Sequence, residues 1–233
     1  MKSKILRSIR KLSSKEKISN SQETLQLLLR RAKKMAALGQ KEALEDLQRL
    51  ALRQIQSRHM VDAYLKPDHH AIDPLSEWND VGITFIPSIK KSLIDFLLDG
   101  RRINKGLLPT AKLGRDIVLP TCWHPFSIIH MLGKIGEGRK CGMWSQDPNH
   151  SIHYWYPLNI FWVAGGNHSI TQGILLAEGE VKASEGYNLS DLYKYVFFNG
   201  DSWIDADSGA TLGIPRYKEI GYVYEVGRFI CQL

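Results

Sequence analysis

Gly165-Gly166-Asn167-His168-Ser169 is the stretch of this chain whose residue types best suit chemistry. Two glycines open backbone geometries closed to other residues and let a ligand come close to the main chain. Asn167 suits a helix N-cap, and a helical period starts at His168, with Ile170, Ile174 and Ala177 on one face. Gly179 stands where a glycine closes such a helix. The first amides of a helix lack intrahelical partners and attract anions. Gly165, Gly166, Asn167 and Ser169 would surround that anion, and His168 would donate to it or act as general acid and base near neutral pH. The plainer alternative leaves Asn167 as a cap and His168 with one structural hydrogen bond.

Three more residues join if neighbouring loops converge. His124 follows a short apolar segment, Asp116–Leu119, and sites in α/β sheets lie beyond strand ends. Asp147 and His150 fall in a polar, turn-forming loop, Met143–His150, ahead of the next strand. With His168 they make one carboxylate and three imidazoles, suited to acid–base catalysis or to a divalent cation. No HxH, HExxH or DxD spacing supports the metal. His150 and His153 fall on opposite faces of a strand, which argues against a shared ion. His69 and His70 are adjacent but have no evident third ligand.

The elements that position these residues follow from periodicity. Ile160–Val163 is a buried-type strand leading into the glycines. Ser21–Arg58 reads as two helices broken at Gly39, with Ser21 as a cap. Leu25, Leu28, Leu29, Ala32, Met35 and Ala36 form one stripe, and Leu44, Leu47, Ala51 and Ile55 another. These stripes need a surface: the body of the protein, a second copy or another protein. Lys66–Pro87 is an irregular connector. Ser88–Gly100 predicts a helix capped by Ser88. Phe126–Ile135 predicts another, with Ile128, Ile129, Leu132 and Ile135 on its core face. Beyond Gly179 short strands dominate, with a hairpin turn at Asn199-Gly200-Asp201. Arg216–Ile230 has helical spacing that Gly221 and Gly227 weaken. The expected fold is α+β, an N-terminal helical hairpin followed by a small mixed sheet flanked by helices. Residues 1–58 form a basic arm, 59–115 a connector with a helix, and 116–233 the core domain.

Charge separates the arm from the rest. Residues 1–58 hold 15 Lys/Arg and 5 Asp/Glu, a net +10, so the other residues carry −3 of the total +7. Arg30, Arg31, Lys33 and Lys34 cluster in the first helix as candidate nucleic-acid contacts. An anionic membrane or an acidic partner would suit the arm equally, as would self-association through residues 21–58. Met1–Asn20 is basic and Ser-rich and lacks the apolar centre of a secretory signal. No apolar run nears the ~20 residues of a membrane span. Cys122, Cys141 and Cys231 are too few and too widely spaced for a disulfide framework or a zinc knuckle. They read as small hydrophobes in a cytoplasmic protein.

The order strand, helix, loop, strand, turn, strand, Gly165-Gly166-Asn167-His168, helix resembles the ParB/sulfiredoxin-like superfamily. There a Gly-x-His-Arg or Asp-Gly-Gln-His-Arg motif begins a helix after a core strand. The resemblance spans about 116–179 and implies a ParB/sulfiredoxin-like core that binds phosphate, a nucleotide with a divalent cation, or DNA, as in an NTPase, kinase or nuclease. Ser169 stands where that family has arginine, so a fixed positive charge is missing. A non-enzymatic scaffold that docks a partner through the basic arm is the competing expectation.

Overall fold

The computed structural model describes residues 19–65 and 73–233, residue 123 excepted. His69, His70, Trp123 and most of Met1–Asn20 therefore lie outside the described residues. Helix α1 (Asn20–Ala37) opens on a capping box. Ser19 Oγ accepts from Gln22 N at 3.2 Å, and Gln22 Oε1 accepts from Ser19 N. The cap thus falls two residues ahead of Ser21. Gly39, at φ 66°, turns the chain, and α2 (Lys41–Leu65) continues past Arg58.

The hairpin packs on the C-terminal helix, Lys218–Ile230. Leu25, Ala32, Leu44, Leu52 and Ile55 are buried. Gln48 Nε2 donates to Pro157 O at 2.8 Å and to Val223 O at 3.1 Å, and Gln56 Nε2 donates to Val118 O at 2.7 Å. Buried amides matched to carbonyls in this way fix the angle at which α2 meets the body. The surface that covers the apolar stripes is therefore the body itself. Arg30, Arg31, Lys33 and Lys34 remain exposed on the outer side of α1.

The central sheet is mixed, in the order β4 (Ile117–Leu119), β6 (Ile160–Gly165), β5 (Ser151–Tyr156), β8 (Glu185–Asn188). Its outer pairs are parallel and its middle pair antiparallel. Ile117, Leu119, Trp155, Ile160, Trp162 and Tyr187 join the larger core. Val118, Ile152, Tyr154, Phe161 and Val163 join a second core on the opposite face. Both faces are covered, which is why β6 reads as an unbroken apolar run. Smaller antiparallel units surround it: β1 (Phe85–Ile86) with β2 (Lys91–Ser92), β3 (Thr110–Lys112) with β7 (Glu180–Lys182), and β9 (Val196–Phe198) with β10 (Trp203–Asp205) and β11 (Thr211–Gly213). The protein is thus a mixed α+β fold with several small sheets.

Two expected helices differ in detail. Ser88 lies in a 3-10 turn, Pro87–Ile89, and Lys90 at φ 52° ends it. The helix itself, α3 (Leu93–Leu98), is capped by Ser92, whose Oγ accepts from Asp95 N at 3.0 Å. Helix α4 (Pro125–Met131) leaves part of its expected face exposed: Ile129 is 59% exposed, and Leu132, just beyond the helix, is 42% exposed. Ile135 packs against the second core. Helix α5 (Asn167–Leu176) follows β6, and α6 (Lys218–Ile230) closes the fold.

On the larger-core side, His153 Nδ1 meets Glu77 Oε1 at 2.5 Å and joins the loop before β1 to the sheet. The hydrogen bond to Glu77 raises the His153 pKa above its ordinary value against the opposing effect of burial. A raised histidine pKa stabilises the fold fully below about pH 6.5, and that stability is lost as pH rises through the folded value. A charge-assisted bond of this type contributes about 1.5 kcal/mol. The expected result is that wild type loses its melting-temperature advantage over His153→Gln between pH 6 and pH 8.5, roughly. An advantage that is constant across that range would contradict the assignment.

Candidate functional site

Helix α5 starts where β6 ends, and three loops meet there. Gly166 is its N-cap, at φ 81°, and no side chain caps the helix. A Cβ on Gly166 would lie 2.3 Å from His150 Cδ2, and one on Gly165 would lie 2.6 Å from Asn149 O. The close approach that requires these glycines is therefore made by the protein's own loop before β5.

Asn167 is the first helical residue and does not cap. Its Oδ1 accepts from Thr121 N at 2.7 Å, which fixes the chain leaving β4. Cys122 sits beneath, its Sγ 2.8 Å from Thr171 Oγ1. Burial pushes the Cys122 thiol up to about 11, so it holds its proton and acts as a small packing group. Cys141 and Cys231, in contrast, are exposed rather than packed.

Asp147, His150 and Ser169 stand in the order of a catalytic relay. His150 Nε2 is 2.6 Å from Ser169 Oγ, and His150 Nδ1 is 3.1 Å from Asp147 Oδ1. The proton arrangement is nevertheless the reverse of one that activates a serine. In the tautomer that accepts the Asp147 N–H bond, at 2.8 Å, Nδ1 is bare and Nε2 carries the proton. Ser169 Oγ then receives from His150 and donates onward to Gly166 O at 3.1 Å. An imidazole that donates to a hydroxyl cannot withdraw its proton. Asp147 Oδ1 also accepts from Asn149 N at 2.8 Å. These three residues clip the loop before β5 to the first turn of α5.

His124 and His168 form the other pair. Both are half-buried, and His124 Nδ1 accepts from Ser127 N at 3.3 Å at the start of α4. Burial lowers the His168 pKa, and the adjacent His124 imidazole adds to that effect, while a hydrogen bond to the His124 backbone opposes it. The four residues thus divide into two pairs at one helix start. Among the described residues, no three His, Cys, Asp or Glu side chains are grouped to hold a metal ion. His153 belongs to the Glu77 contact and not to this site.

Two groups at the site carry no motif. Trp144 Nε1 donates to Ser169 O at 2.7 Å, and its ring lies 5.1 Å from that of His150. Trp144 also explains Gly179, where a Cβ would meet its ring at 2.3 Å, whereas one on Gly173 would meet Leu113 Cδ1 at 2.4 Å and Glu178 O at 2.8 Å. Glu178 then secures the preceding loop, its carboxylate accepting from Trp144 N at 2.6 Å and Glu137 N at 3.0 Å. Those two amides hold its pKa below the ordinary carboxylate value. The left-handed residue that ends α5 is Ala177, at φ 53°, two residues before Gly179. The basic cluster is on α1, which packs on α2 and α6.

Fold and site together define a mixed α+β protein with three loops gathered at one uncapped helix start. The chain belongs to a family described as a family of unknown function (DUF6710), whose model matches residues 3–233. Neither the curated proteins nor the solved structures contain a significant match.

Proposed function

We propose that the protein binds a phosphate group at the start of α5, with His168 and His124 beside it. The observation that carries this reading is convergence: Thr121 and the loop at 144–150 both meet residues 165–169. The helix start they surround has no side-chain cap, and uncapped amides with the positive end of the helix dipole favour an anion. His168, with its pKa lowered, would meet that anion as an uncharged donor or accept a proton from a bound group. The ParB/sulfiredoxin-like likeness supports a nucleotide or nucleic acid as the phosphate carrier. The exposed Arg30, Arg31, Lys33 and Lys34 would add salt-dependent attraction to a nucleic acid. Asp147 and His150 are occupied with the clip, so acid–base chemistry in an NTPase, kinase or nuclease reaction would fall to His168 and His124.

Calorimetric titration with pyrophosphate, ATP and a short oligonucleotide tests this, with and without Mg²⁺. The expected result is binding by wild type that weakens about tenfold or more in His168→Gln, the loss of one hydrogen bond to a charged group. The variant's unchanged melting temperature would show that the fold is intact. Failure of wild type to bind any of the three ligands would overturn the proposal.

A further inference from the structure

We infer that α4 and the turn after it dock on an anionic lipid surface. Phe126 and Ile129, three apart on α4, are neighbours on its surface, and Leu132 follows just past its end; they are 65%, 59% and 42% exposed. Met143, at the end of the following loop, is 67% exposed. Apolar side chains grouped on one side of an element mark an interaction surface rather than scattered surface residues. Lys134 and Lys140 are exposed and Arg139 half-exposed in the loop between, against the exposed Glu137 and the half-exposed Glu178 bound to this loop. The segment therefore combines an apolar side with net positive charge.

Area decides between the candidate occupants. At these exposures the three side chains present roughly 300 Å², well short of the ~800 Å² per partner of a stable protein interface. A bilayer needs no complementary shape. It accepts a few apolar side chains at the acyl boundary and adds attraction between basic residues and anionic headgroups. The loop is held in a defined shape for that purpose by Gly136 N to Gly142 O at 2.8 Å, Cys141 N to Lys134 O at 2.8 Å, and the Glu178 carboxylate. This inference is independent of the phosphate site at α5.

The test is co-sedimentation of the full chain with vesicles of phosphatidylcholine alone and of phosphatidylcholine mixed with phosphatidylglycerol. Wild type is expected to pellet with the mixed vesicles and to be released by about 0.5 M NaCl, where charge attraction is screened. Phe126→Ser with Ile129→Ser should weaken that partitioning about a hundredfold, tenfold for each side chain. Lys134→Glu with Lys140→Glu should remove the preference for anionic vesicles. Both pairs are exposed, so the melting temperature should not move. The basic arm is intact in both variants, and full binding by the first pair would assign the attachment to the arm and overturn the inference. Wild type that stays in the supernatant would also overturn it, as would concentration-dependent dimerisation lost in the Phe126/Ile129 variant without any vesicle binding.

Discussion

Gly166→Ala is expected to destabilise the protein by about 2–4 kcal/mol and to abolish phosphate binding at α5. Two costs act together. A left-handed φ of 81° is strained for any residue with a Cβ. The new methyl would also lie 2.3 Å from His150 Cδ2. The imidazole has nowhere to retreat: Ser169 Oγ and Asp147 N hold its two nitrogens, and the Trp144 ring lies 5.1 Å from its own. The backbone must then move, and with it the first amides of α5. Gly138→Ala provides the control, since Gly138 has φ 71° but open space around a Cβ. Its cost should be about 1 kcal/mol, the backbone part alone. For a chain of this size each kcal/mol lowers the melting temperature by about 2–4 °C. Equal losses at the two positions would show that the His150 contact carries no weight.

Glu225→Gln is expected to cost about 3–5 kcal/mol, because it strands the charge on Arg228. Arg228 Nε donates to Glu225 Oε2 at 2.7 Å, and its other nitrogens donate to Tyr193 O at 2.7 Å and to Val196 O. Its guanidinium also lies 4.5 Å from the centre of the Tyr193 ring. Burial opposes that charge, and Glu225 together with Tyr224 and Tyr193 more than offsets it, so the arginine's pKa stands above its ordinary value. Glu225 Oε1 meanwhile accepts from Phe198 N at 2.8 Å, so the pair joins α6 to β9. Replacing both charges, as in Glu225→Leu with Arg228→Met, should recover part of the loss seen for the single variant. Chemical denaturation measures both. A single-variant loss below about 1 kcal/mol would mean that water reaches the arginine and the pair behaves as a surface contact.

The start of α5 was legible in the sequence because its signals are local: an apolar run, two glycines and a helical period within twenty residues. What each residue does there was not, because the partners are distant in sequence. Asn167 has the composition of a cap, yet its side-chain oxygen serves Thr121 N, 46 positions away. Gly165 and Gly166 predicted room for a ligand, but their space is taken by Asn149 and His150. The same reasoning explains α6. Gly221 and Gly227 weaken a helix on propensity alone. In the fold they let rings come close: a Cβ on Gly221 would lie 2.5 Å from the Phe198 ring, and one on Gly227 would lie 2.4 Å from the Tyr193 hydroxyl. The helical hairpin was readable from its two apolar stripes, whereas the surface that covers them was open until α6 supplied it. Ile129 and Leu132 show the opposite limit, since helical spacing identifies a face without stating whether anything packs on it.

The most direct test of the phosphate site is an amide chemical-shift map of the ¹⁵N-labelled protein during titration with pyrophosphate. The account predicts saturable shifts concentrated at the amides of Asn167, His168 and Ser169, with the His168 and His124 ring signals moving in step. Shifts confined to the Arg30–Lys34 cluster, or no saturable shift at the α5 amides, would contradict it.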